Sequence, residues 1–177
     1  IVLMLVSSNV SSPQFITSTR SHFEKLSYFI TFYTTLQLMS LDPINWSQKI
    51  MVATLGNINF MSSFLGLATI SFVSRFVAKS TMISSKVFYI VLAGINVYLI
   101  FVSGSIQGFG VLAAGVGLLT SFEIRNRYGF RVSLMSLTTI SVVGLFTLLG
   151  TAGLGPLSSL RQDTVLFRVD YWSAGLN

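Results

Sequence analysis

Val87–Phe122 reads VFYIVLAGINVYLIFVSGSIQGFGVLAAGVGLLTSF, 36 residues without one charge. The stretch is too long for a single membrane helix, which takes roughly 20 residues, and barely long enough for two. At its middle lies Ser103-Gly104-Ser105-Ile106-Gln107-Gly108, a cluster of turn-forming types. The spacing predicts one span near Lys86–Val102, a fold-back, and another near Gln107–Phe122. Three further uncharged runs surround this one: Leu26–Leu41, Ile50–Ser74 and Val132–Leu160, of 16, 25 and 29 residues. They predict spans at about 26–41, 50–73 and 132–150. The first is short, and Lys25 can lengthen it by snorkelling before Asp42 closes it. Only 9% of the residues are charged, where a soluble domain has about a quarter. The solvent for most of this surface is therefore lipid, and the expected fold class is all-α, polytopic, with five transmembrane helices.

Charge tests the count. With five spans, the N-terminal arm (Arg20, Glu24, Lys25), the segment holding Arg75, Lys79 and Lys86, and the segment holding Glu123, Arg125, Arg127 and Arg131 share one side. Their net charges are +1, +3 and +2, which is the whole formal +6 of the chain. The other side balances Asp42 with Lys49, and Arg161 and Arg168 with Asp163 and Asp170. The positive-inside rule then puts the N-terminus on the cytoplasmic or matrix side and the C-terminus opposite. A single span over Val87–Phe122 would scatter the basic segments. Trp46, Tyr128 and the Tyr171-Trp172 pair fall at expected interfaces, as amphipathic rings do. The organisation expected is an arm over 1–25, a five-helix domain over 26–154 and an interfacial tail over 155–177.

The chain opens at Ile1 rather than Met, so a processed form, a fragment or the product of an unusual start codon is expected, and no complete signal peptide is visible. Ser7–Arg20 is Ser/Thr-rich and acid-free, with a faint likeness to the end of an organellar transit sequence. A plain polar arm is the favoured reading. Asn9-Val10-Ser11 and Asn45-Trp46-Ser47 match the glycosylation triplet but fall on opposite sides of the expected topology.

Chemistry is sparse. No cysteine is present and only one histidine, which removes thiol chemistry, disulfides and most metal or haem schemes. No catalytic residue, cofactor or metal site is expected. Gly108-Phe109-Gly110-Val111-Leu112-Ala113 fits the dinucleotide pattern G-x-G-x-x-A, but that motif needs a strand before it and a βαβ unit around it. Packing explains it better: Gly104, Gly108, Gly110, Ala113, Ala114 and Gly117 place small residues a turn apart, which lets helices approach closely. Asn57, Asn59, Asn96 and Gln107 are the polar groups within or beside the spans, and interhelical hydrogen bonds are their expected use. No ionisable residue stands at mid-span, so a proton relay carried by this chain alone is not expected. His22, beside Ser21 and Glu24, cannot form a triad from sequence neighbours.

Arg75, Lys79, Lys86, Arg125, Arg127 and Arg131 are expected to meet lipid headgroups or a partner subunit. The positive charge is assigned to anionic phospholipid and topology rather than nucleic acid. The expected function is a non-catalytic subunit of a larger membrane complex, respiratory or otherwise energy-transducing, with other membrane subunits and anionic phospholipids as partners. The mitochondrial inner membrane is favoured over the plasma membrane. A small oligomeric transporter or channel lined by Asn57, Asn59, Asn96 and the glycines is the alternative, and a membrane enzyme using Glu123 and His22 a third. In size and span count the chain resembles subunit 6 of the respiratory NADH dehydrogenase. That likeness is one of dimensions, and no residue is carried over from it.

Overall fold

A computed structural model of the chain describes residues 12–44, 51–78, 81–151, 153–155 and 158. Those residues are all-helical: α1 Pro13–Leu38, α2 Ile58–Val77, α3 Ile83–Ser103, α4 Ile106–Tyr128 and α5 Phe130–Thr151. Four of them, α2 to α5, are long and apolar enough to cross a membrane. α1 is not among these, since its first half is Ser/Thr-rich and carries Arg20, Glu24 and Lys25.

The helix ends follow local chemistry. α1 starts at Pro13, well before the expected Leu26. Ser12 accepts a hydrogen bond from Phe15 N (3.1 Å), and Pro13 occupies the first helical position, where its missing N–H costs nothing. The segment read as a polar arm is thus helical over its second half. α2 starts at Ile58 rather than Ile50, because Gly56 takes φ +68° and Asn57 caps the helix by accepting from Asn59 N (2.8 Å). α3 ends at Gly104, at φ +67°, and α4 begins two residues later. Gly129, at φ +89°, separates α4 from α5.

Two compact units divide the chain, one running through Gly115 and the other from Val116. In the first, α1, α2 and α3 alternate in direction, as three sets of contacts require. Glu24, midway along α1, meets Arg75 near the end of α2. Gln37 near the end of α1 meets the backbone just before α2. Ser62 in the first turns of α2 meets Ser105 just after α3. Ile30, Tyr33, Ala53, Met61, Leu65, Leu99 and Ile100 form the apolar centre. Ala68, Phe72 and Ala93 extend it toward the Glu24 end, where Tyr28 stacks on Phe72 with centroids 5.6 Å apart.

The beginning of α4 lies directly on α2. A Cβ on Gly66 would stand 2.8 Å from Gly108 O, and one on Gly108 would stand 2.7 Å from Ser62 O. A Cβ on Gly115 would meet the Ile70 side chain. Since 66 pairs with 108 and 70 with 115, this part of α4 runs parallel to α2, and the chain therefore reverses at Gly104.

In the second unit the rest of α4 packs on α5. Ser133 donates to Ser121 O (2.9 Å), Ser121 bonds Ser136 (3.0 Å), and Ile140 covers Gly117. Little else is buried. Leu134, Met135, Val142, Val143, Leu145, Phe146 and Leu148 are all exposed on α5. An aqueous surface would not carry so continuous an apolar face.

Candidate functional site

Unit one has a polar seam on the inward side of α1. Glu24, Ser27, Thr31 and Thr34 recur at helical spacing and are all buried. The outward side is the opposite: Leu26, Phe29 and Phe32 are exposed. Most of the seam is satisfied within α1, since Ser27 donates to Phe23 O (2.8 Å) and Thr34 to Ile30 O (2.7 Å). Thr31 instead crosses to α3, donating to Asn96 Oδ1 (2.8 Å) in the fully buried centre. Asn96 Nδ2 has no partner. Such a bond fixes the register of two helices in lipid at modest energy.

One end of the seam is anchored by Asp42, which accepts from Tyr33 OH (2.8 Å), Gln37 Nε2 (2.6 Å) and Ile44 N (2.9 Å). Gln37 Oε1 accepts from Val52 N and Ala53 N, which ties the chain before α2 to α1. This end is a brace with its acceptors engaged.

The other end carries the charge, and it is the candidate site. Glu24 is 7% exposed, yet it sits within hydrogen-bond reach of two arginines. Arg75 Nε and Nη2 donate to its two oxygens (2.6 and 3.0 Å), a bidentate fork, and Arg20 Nε adds a third bond (3.2 Å). Burial pushes the Glu24 carboxyl up, but the hydrogen bonds and charges of Arg75, and then of Arg20, outweigh it and hold the group below the ordinary carboxylate value. With both oxygens engaged, the carboxylate is poorly placed to act as a base. Lys25 on α1 and Lys86 in the first turns of α3 belong to the same end. Two arginines thus hold one carboxylate, and Lys25 and Lys86 lie at the same end of the unit.

The remaining expected residues stand as follows. Glu123 pairs with Arg127 (2.6 Å) along exposed α4, an arrangement that adds little stability, and Arg125 lies over the Phe130 ring at 5.7 Å. Arg131 is exposed. Gly104 caps α3, Gly108 is pressed against α2, and Gly117 meets Ile140. Gly110, Ala113 and Ala114 are exposed, with open space around the Gly110 Cβ position. Asn59 and Asn96 make bonds across helices, Asn59 accepting from Ser105 Oγ (2.8 Å), whereas Asn57 is a cap. His22 Nδ1 bonds Ser18 O (2.7 Å) one turn back along its own helix. Lys79, the triplets at Asn9 and Asn45, Trp46 and most of the tail over 155–177 lie outside the described residues.

The sequence reading missed Glu24 as the centre of a site. Its signal was an acid on the side that collects the positive charge, one turn from Arg20. Among the described residues no group of three histidines or carboxylates could hold a metal ion. Comparison with protein-family models, with curated proteins and with solved structures finds no match.

Proposed function

We propose that this chain is a non-catalytic integral membrane subunit of a larger complex, bracing neighbouring helices and contacting anionic lipid. The observation that carries the reading is the imbalance between length and burial in α4 and α5. From Val116 to Gly150 the only buried residues are Ser121, Ser133 and Gly150, while apolar side chains stand exposed along both helices. Helices of this kind take their stability from lipid and from neighbours. Gly110, Ala113 and Ala114 leave a shallow strip on which another helix can come close. In this reading the part of α1 from Leu26 onward is a fifth span, with Arg20 and Glu24 at its outer edge. Its outward Leu26, Phe29 and Phe32 face lipid, and its polar groups turn inward to Asn96 and Arg75.

The setting we favour is a respiratory or other energy-transducing assembly, with the mitochondrial inner membrane ahead of the plasma membrane. It rests on composition alone: a small, cysteine-free, apolar chain with its charge confined to the span ends. Solubilisation in mild detergent and native electrophoresis tests the proposal. The chain is expected only in a band far larger than itself, together with other membrane proteins. A stable homo-oligomer that passes solutes in liposomes would overturn it and favour the channel reading.

A further inference from the structure

From the Arg20–Glu24–Arg75 cluster we infer a specific binding site for the phosphodiester of one anionic phospholipid. This inference deepens the reading of the chain as a membrane subunit and rests on it. The first argument is charge. Glu24 neutralises one arginine, not two, so the cluster keeps a net +1. The described residues of unit one contain only one other acid, Asp42, at the far end of α1. Asp42 is bonded to Gln37, 13 residues or about 20 Å along the helix from Glu24 at 1.5 Å per residue, so it compensates nothing here.

The second argument is free donors. Arg20 spends one N–H on Glu24 and Arg75 spends two, of five on each guanidinium. Their side chains are 43% and 33% exposed, whereas the Glu24 side chain is 9% exposed. The carboxylate is enclosed and holds both forks in place, and the unused N–H groups remain within reach of a ligand. A phosphodiester offers one negative charge on two free oxygens, which matches guanidinium donors in number and geometry.

The third argument is position. Leu26, Phe29 and Phe32 stand exposed along α1 from two residues beyond Glu24, with Phe15 and Ile16 exposed before it, and α2 ends in exposed Phe76 and Val77 beside Arg75. Polar donors therefore stand next to an acyl-chain surface, the order in which a phospholipid presents its own parts. Glu24 is a positioning residue in this site, and Arg20 and Arg75 are the binding ones.

Native mass spectrometry of the purified full chain, exchanged into phosphatidylglycerol or phosphatidylcholine, tests the site. One phosphatidylglycerol per chain is expected to survive detergent washing, with phosphatidylcholine lost. Arg20→Gln leaves the bidentate Glu24–Arg75 pair intact, and it should weaken phosphatidylglycerol retention about tenfold, the cost of losing charge-assisted hydrogen bonds. Lys25→Gln removes the same charge from an exposed neighbour that makes no bond to Glu24, and it should change retention by less than about twofold. Equal retention of the two lipids would overturn the inference whatever the variants do. So would equal losses in Arg20→Gln and Lys25→Gln, which is diffuse attraction, or displacement of the lipid by inorganic phosphate at millimolar levels, which is a site for a free anion. An acidic segment of a co-purifying protein in place of the lipid would overturn it too. None of these results depends on the size of the native band, so the site and the subunit reading fail separately.

Discussion

Glu24 shows what one buried charge requires of its surroundings. An isolated carboxylate at this depth would take up a proton, but bidentate Arg75 and a third bond from Arg20 keep it ionised. The sign of the pH dependence follows. The folded carboxyl titrates below its ordinary value near pH 4.3, so its contribution is whole above that value and is lost as pH falls through the lowered one. Thermal stability in detergent should be unaffected by this group between neutral pH and about 5, and should fall below about 4. Glu24→Gln should melt lower than the native chain at neutral pH, because two arginines then face an amide. The difference between the two proteins should shrink in acid, where the native carboxyl is neutral as well. A constant difference down to pH 3 would show that the pair does not set the stability of this end.

Gly108 and Gly110 belong to the same strip of small residues, but the geometry of α4 gives them different work. A Cβ at Gly108 meets the backbone carbonyl of Ser62 and Cγ2 of Ile100, at 2.7 and 2.8 Å, and a backbone atom cannot swing aside. At Gly110 a Cβ meets nothing within 4 Å. Gly108→Ala should therefore cost about 3 kcal/mol, the upper range for overpacking, by separating α4 from α2. Gly110→Ala should be neutral or slightly stabilising, by up to about 1 kcal/mol, since it removes a flexible residue from a helix. Unfolding curves in mixed micelles would measure both. Similar losses would mean that spacing of small residues, rather than contact, governs this helix. The same contrast marks what the sequence could disclose. Uncharged length located α2 to α5, and Gly104 the break, since those signals are local. Ser12-Pro13 and Gly56-Asn57 were equally local boundary signals, and they outrank hydropathy because a cap acts on the backbone whatever solvent surrounds it. The pairing of Gly108 with Ser62, like that of Glu24 with Arg75, joins positions tens of residues apart. It depends on which helix faces which, and periodicity within one helix does not encode that.

For the molecule as a whole the open choice is between four spans and five, and α1 decides it. Its hydropathy alone falls short. Its packing argues the other way, because Thr31 meets Asn96 at the centre of α3, Glu24 meets the end of α2, and Gln37 meets the chain before α2. A helix matched to its neighbours from Glu24 to Gln37, 13 residues or about 20 Å, would run with them through much of a bilayer about 30 Å thick. If α2 and α3 span a bilayer about 30 Å thick, α1 cannot lie flat on its surface. The absence of cysteine makes this directly measurable, since any introduced thiol is unique. Ser18→Cys and Ile44→Cys lie at exposed positions beyond the two ends of the α1 packing. In sealed vesicles a membrane-impermeant maleimide should label them from opposite sides. With five spans Arg127→Cys, in the exposed last turn of α4, should label from the same side as Ser18→Cys. Labelling of positions 18 and 44 from one side would leave four spans and take α1 out of the bilayer. The segments holding Arg75–Lys86 and Glu123–Arg131 would then still share one face, with +5 of the formal +6, and the N-terminal arm would carry its +1 on the other.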